Sequence, residues 1–257
     1  MRSSPVWDTF HCFHLCIAHR QQSDPSYARW IEHIGNGSIS PNYLLNDERG
    51  YIALDLCTVI TSEDGAIRFA FPNINDPHAC SLRRILATTN DVVDKFNDCI
   101  LDELTRTFLL RNHVARSADF MDMSTVRNPL GDHISPYFLN LQNHPGVPPH
   151  ALRLVVGALY EVTRNFAPDD GLMYHTQVIL VNIFDKHVLI RTLTGAEFPL
   201  PRICFRWSMS GGSVYVVRRQ YPLRPAYAST FNGSQGSTLE DVLLICVETL
   251  SLMATCM

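Results

Sequence analysis

Five consecutive residues, Asn232-Gly233-Ser234-Gln235-Gly236, form the sharpest chemical feature of this 257-residue chain. Two glycines permit close backbone approach, and the hydroxyl and amides supply donors, which suits a loop that tracks a phosphate backbone. The same residue types also make an ordinary flexible turn, and both readings stand at this point. Asn232 occupies the place of the first glycine of G-x-S-x-G, so the loop is not the nucleophile elbow of a serine hydrolase. A second set of residues is cationic. All but two of the 21 basic residues are Arg, the exceptions being Lys95 and Lys186. Guanidinium forks grip phosphate bidentately, although a GC-rich gene gives the same bias without function. No acid occurs from Phe198 to Leu239, whereas Arg202, Arg206, Arg218, Arg219 and Arg224 all fall inside. A local basic face is therefore expected in a chain of net charge -4.

Other chemistries are poorly supplied. The eight cysteines contain no C-x-x-C pair, which argues against a disulfide framework or thiolate zinc site and fits a reducing, intracellular compartment. His11, Cys12, His14, Cys16 and His19 cluster near the start, but their spacing matches no zinc pattern. A P-loop needs Gly-Lys-[ST], and the two lysines follow Asp94 and Asp185. Asp102-Glu103 sits inside a helical pattern, not at a strand end where it would hold magnesium. The apolar run 242–257 is short and is interrupted by Glu248, so no membrane span is expected.

The elements that must position these residues are of two kinds. Ile85-Leu86-Ala87, then Thr88-Thr89-Asn90, then Val92, Phe96, Ile100, Leu104 and Phe108 predict a strand, a capping turn and a helix with one apolar stripe. Such strand-to-helix turns build α/β domains, and their helix N-termini attract phosphate. Residues 112–149, with "NPLGDHISP" and "NHPGVPPH", predict a polar linking excursion. Short apolar runs at 153–163, 176–184, 187–194, 203–209 and 213–221 predict a small β-barrel. After it, "YASTFNGSQGSTLEDVLLICV" returns to a strand, a loop and a possible capping box from Ser237 to Glu240. The expected boundaries are 1–135, 136–220 for the inserted barrel, and 221–257 for the return.

Several separated segments resemble, in the same order, the Pif-type ATP-dependent DNA helicases carried by Helitron transposons. "RRQYPLRPAYASTFNGSQGSTLEDV" is similar to the family's R-x-Q-[FY]-P-L run leading into S-Q-G-x-T-L. "FLNLQNHPGVPPHALRLVVGALYEVTRNFAPDDGL" resembles its F-L-N, P-P-H-x-L, L-x-V-G-A, R-N and G-L segments. "ILATTNDVVDKFNDCIL" is similar to I-L-x-x-T-N-x-x-V-x-x-x-N, and "SSPVWDTFHCFHLCIAHR" and "YARWIEHIGNGS" to the S-P-L-W, L-x-x-N-x-R and I-G-x-G segments.

The resemblance implies an α/β fold, a RecA-like (P-loop NTPase-type) second motor domain with an inserted small β-barrel. It further implies the C-terminal part of a 5′-to-3′ DNA helicase of repair, recombination or transposition, nuclear in a eukaryote. In intact relatives ATP and Mg are the cofactors. Here a missing N-terminal P-loop half would have to hold them, single-stranded DNA being the other partner. Arg20 falls on the family Arg that reaches the γ-phosphate, although Ala18 stands where Asn is usual. Thr88, Asn90 and Asn97 match the turn facing single-stranded DNA, and Thr230, Ser234, Gln235, Gly236 and Thr238 match the loop coupling DNA to the nucleotide cleft. Arg218 and Arg219 are expected on the same groove. Gly233 stands where many members have Lys, and the A-L-S-R-like run expected after the loop is not found before the chain reads "ETLSLMATCM". The alternative reading is a non-enzymatic module that binds single-stranded nucleic acid.

Overall fold

In a computed structural model of the chain, the described residues are 25–36, 58–60, 62–122, 134–209, 215–235, 237–245 and 252–256. Two compact units divide at Leu56 and Cys57. The first contributes one described helix, α1 (Pro25–Gly35). The rest of the architecture belongs to the second unit.

An α/β layer comes first. Strand β1 (Thr58–Ile60) precedes α2 (Glu63–Ala70), which Ser62 caps by accepting from the Gly65 amide. Helix α3 (Pro77–Ser81) opens on Asp76, whose carboxylate accepts from His78 and Ala79, with Pro77 at the first position where its missing N–H costs nothing. Then β2 (Arg83–Ala87) runs into α4 (Asn90–Thr107), 18 residues long. Val93, Phe96, Ile100, Leu101 and Leu104 are buried along one stripe of α4, which contains three of the five expected residues; Val92 is partly buried, and Phe108 is 39% exposed at the helix end.

The chain then makes a long excursion from this layer before returning to it. Out go β3 (Asn112–Arg116), β4 (Ala118–Met121), α5 (Pro136–Asn140), β5 (Ala151–Val155), β6 (Leu159–Val162), a 3-10 turn at Pro168–Asp170, β7 (Gln177–Ile183), β8 (His187–Thr192), β9 (Glu197–Pro201), β10 (Ile203–Ser208), β11 (Tyr215–Gln220) and β12 (Leu223–Pro225). Back come β13 (Ala228–Thr230), β14 (Asp241–Ile245) and β15 (Leu252–Cys256). The α/β sheet has the order β1-β15-β14-β2-β13, in which β13 and β14 flank β2 in parallel and β15 and β1 add antiparallel.

The excursion strands pair as three ladders: β12-β6-β7-β8-β9, β10-β11-β4 and β3-β5. Among the described residues these ladders are open, so pairing alone does not close the expected barrel. The segment 112–149, expected to be a link, contributes two paired strands, with Ala115 and Leu139 buried. Its polar composition hid them, because β3 and β4 each bury few side chains. One hydrophobic core runs without a break from Phe71, Ile85 and Ile100 to Leu154, Leu180 and Ile190, while Leu139, Trp207 and Val216 form a second, smaller one. No helix among the described residues is long and apolar enough to cross a membrane.

Candidate nucleic-acid interface

Parallel pairing of β2 with β13 aligns Ile85 with Ala228, Leu86 with Ser229 and Ala87 with Thr230. The C-terminal ends of both strands are therefore level, and the segments leaving them share one sheet edge. The Phe231 amide donates to the Ala87 carbonyl at 3.3 Å, holding the two exits together. From β2 come Thr88, Thr89 and Asn90, all exposed. Thr89 is the N-cap of α4 yet makes no side-chain cap bond. The acidic Asp91 stands in the same first turn, which offsets the pull of the helix end on an anion.

From β13 comes the loop 231–235, and its amides face inward. The Gly233 amide donates to Thr230 Oγ1 at 3.1 Å, that of Ser234 to the Thr230 carbonyl at 3.1 Å and that of Gln235 to the Asn232 carbonyl at 3.4 Å. Ser234 Oγ donates back to the Phe231 carbonyl at 3.0 Å. The outward donors of the described loop residues are thus chiefly the side chains of the exposed Asn232 and Gln235. A Cβ at Gly233 would lie 3.0 Å from Thr230 Oγ1 and 3.4 Å from the Thr230 carbonyl oxygen, so a side chain there needs Thr230 to give way. Thr238 is exposed. Gly236 and Arg20 lie outside the described residues, as do His11, Cys12, His14, Cys16 and His19.

Two expected site residues, Asn97 and Arg218, lie buried. Asn97 is 6% exposed, donates from Nδ2 to the Ala228 carbonyl at 3.3 Å and accepts from the Ala228 and Tyr227 amides at 2.9 and 3.3 Å. It fastens α4 to the start of β13. Arg218 is fully buried. Its guanidinium forks onto Asp119, itself without exposed side-chain surface, at 2.7–3.1 Å, and donates to the carbonyls of Pro148, Leu139, Asn140 and Gln142. Arg219, its neighbour, is exposed, because successive side chains of a strand point to opposite faces.

The remaining arginines of the acid-free stretch are also sorted by this geometry. Arg202 donates to the Arg116 carbonyl at 2.8 Å, Arg206 pairs with Asp122 at 2.9 Å, and Arg224 binds Glu161. Glu161 is a buried junction that sequence patterning did not single out: it also takes Arg84 of β2 at 3.4 Å and lies 3.4 Å from His175 Nδ1. Burial by itself would raise the Glu161 pKa, but the His175 hydrogen bond and the charges of Arg224 and Arg84 together hold it below its ordinary value. Burial likewise lowers the Arg84 pKa, and Arg84 Nε has no partner. This junction ties β6 and β12 to β2 from within.

Catalytic sets are otherwise lacking among the described residues. Ser117 Oγ lies 2.5 Å from Asp119 Oδ1 and 2.8 Å from His150 Nδ1, so the serine stands between acid and histidine. Hydrolytic triads place the histidine between the other two, and here Asp119 is already committed to Arg218. No group of three or more His, Cys, Asp or Glu among the described residues is arranged to hold a metal.

No family model and no curated protein matches the chain. Among solved structures, the Pif1 helicase of Candida albicans superposes with a TM-score of 0.52 at 21% identity, over 88% of this chain and 48% of that one. Bacteroides Pif1 bound to ssDNA gives 0.49 at 14% identity over 90% and 45%, and a Pif1 structure on forked dsDNA gives 0.49 at 17% over 87% and 41%. The chain thus spans less than half the length of these helicases. Over that span it shares the mixed α/β fold of the Candida albicans Pif1 structure.

Proposed function

We propose that this chain is the C-terminal, DNA-gripping part of a Pif-type helicase related to those of Helitron transposons, engaging single-stranded DNA along the edge where β2 and β13 end. The observation that carries the reading is the level exit of Thr88-Thr89-Asn90 and of residues 231–235 from adjacent parallel strands. Ligands of open parallel sheets bind at the carboxyl ends of the strands, and Thr88, Asn90, Asn232 and Gln235 offer hydroxyls and amides there, whereas Thr238 leads towards the start of β14 at the other end of the sheet. Asn97 makes α4, β13 and the loop a single mechanical piece, so that a shift of the DNA-facing turn is passed to the loop.

Nucleotide chemistry enters from elsewhere in this reading. The 257 residues contain no Gly-Lys-[ST], Lys95 is paired with Glu63, and Lys186 lies in the turn between β7 and β8. These residues do not fit the β- and γ-phosphates of ATP, so no hydrolytic step is assigned to them. Arg20 is the one residue offered to the γ-phosphate, on the resemblance alone. We also read the three excursion ladders as walls of a small barrel over 136–220 that draws in β3 and β4. Single residues, Ser117 between β3 and β4 and Arg202 between β9 and β10, would form its corners. The Arg202 bond to the Arg116 carbonyl links those two corners.

Fluorescence anisotropy with a labelled oligothymidine tests the main claim. We expect weak binding, of micromolar order at low salt, that falls steeply as salt rises. Combined Asn232→Ala and Gln235→Ala should weaken it several-fold, and parent-like binding by that variant would overturn the edge assignment.

A further inference from the structure

The acid-free, Arg-rich stretch has a residue use that the α/β edge does not absorb. In the β10-β11-β4 ladder, Arg206 stands opposite Val217 and Val217 opposite Phe120, while Cys204 stands opposite Arg219 and Arg219 opposite Ala118. Directly paired residues share a face, so Cys204, Arg206, Ser208, Tyr215, Val217, Arg219, Ala118 and Phe120 form one side of this sheet. The other side carries Phe205, Trp207, Val216, Arg218 and Gln220, all buried. The first side is open: Phe120 is 47% exposed, the Arg206 side chain 51%, and Arg219 is exposed. The Arg206 guanidinium lies 4.1 Å from the centroid of the Tyr215 ring.

We propose that this outward face is a second contact surface for single-stranded nucleic acid, with bases stacking on Phe120 and on the Arg206–Tyr215 pair and a phosphate held by Arg219. It shares the ligand class of the proposed function but uses a different surface. Three features select this occupant. Charge comes first: the face carries Arg206 and Arg219 against one carboxylate, Asp122, beside Arg206, and no ion pair among the described residues engages Arg219. Second, its apolar groups are π faces in the main. Phe120 is the one large exposed hydrophobe of the face, whereas Val217 is 8% exposed, so a protein partner would find little apolar area to bury. Third, the platform is rigid, because its reverse side is pinned by the fully buried Arg218–Asp119 pair and by the Leu139, Trp207 and Val216 core. Phe120 on β4 stands opposite Val217 on the adjacent β11, so Tyr215 is its diagonal neighbour, about 7–8 Å away, which leaves room for a base on each aromatic. Flat aromatics interleaved with arginines are what sequence-tolerant single-strand binding uses.

The test uses the full chain and fluorescein-labelled oligothymidine at two salt concentrations. Phe120→Leu, which keeps the apolar bulk but loses the ring, should weaken binding about tenfold with the parent's salt slope, and Phe120→Tyr should restore it. Arg219→Gln should flatten the slope by about one phosphate contact. Cys204, exposed beside Arg219, gives a readout without mutation: saturating oligonucleotide should slow its alkylation several-fold. If the Phe120→Leu, Arg219→Gln double variant binds like the parent and Cys204 reacts at an unchanged rate, the proposal falls. Loss confined to the Asn232 and Gln235 variants overturns this proposal and keeps the edge reading. Loss confined to the sheet variants does the reverse, and a parent that does not bind overturns both. Equal losses on duplex and single-stranded DNA would overturn base stacking.

Discussion

Arg218 and Arg219 are adjacent in sequence and opposite in consequence. Replacing Arg218 by Ala would leave Asp119 as a buried, uncompensated charge and strip a donor from four carbonyls, a loss of about 3–5 kcal/mol read by urea denaturation. Arg219→Ala should change stability by less than about 0.5 kcal/mol while reducing the salt dependence of oligonucleotide binding. Sequence composition marked both as groove residues, and strand alternation was the available signal that they could not both face one ligand. Nothing comparable announced the partners of Glu161, because Arg84, His175 and Arg224 come together only through the fold. Since the folded Glu161 pKa is lowered from its ordinary 4.5, its ionised form adds stability above that value, and this contribution is lost as pH falls through the lowered pKa. Thermal melts of Glu161→Gln across acidic pH should therefore show a flatter acid limb than the parent, on top of a lower melting temperature near neutrality.

The strand-turn-helix over 83–107 was legible in detail, because a four-residue apolar stripe and a Thr/Asn turn are local signals that packing here reinforces. What the pattern could not convey is the work of Asn97. It occupies a helix position that reads as polar and solvent-facing, yet it is buried against the entry to β13, 131 residues away from the backbone it holds. Asn97→Ala should cost about 1–3 kcal/mol, because the Ala228 and Tyr227 amides and the Ala228 carbonyl lose a buried partner. Asn97→Asp should recover only the accepting half. At the loop, Gly233→Ala forces Thr230 Oγ1 to move by a few tenths of an ångström. Its expected effect is a modest drop in melting temperature together with faster exchange of the amides at positions 233 and 234, measurable by hydrogen-exchange mass spectrometry.

At the scale of the molecule, the purified chain should show no DNA-stimulated ATP turnover above a matched blank, since none of its residues builds a phosphate-gripping lysine loop. Alternation and turn residues announced an α/β layer interrupted by short strands. They did not reveal that β3 pairs with β5 and β4 with β11, because strands with one buried residue in five, or none in four, carry almost no hydrophobic signature. Strand order in the α/β sheet has a further consequence, for how the chain reaches its native state. Both neighbours of β2, namely β13 and β14, are encoded after residue 227, whereas the β6-β7-β8-β9 meander is local and complete by residue 201. Loop-closure entropy disfavours the β2–β13 contact until the intervening chain has already collapsed. During synthesis the excursion can therefore gain order first, while β2 and α4 wait with their apolar surface exposed for a partner that the ribosome delivers last. Pulse-labelling exchange during refolding should protect amides of β7 and β8 before those of β2, and simultaneous protection of both would show that the sheet does not wait.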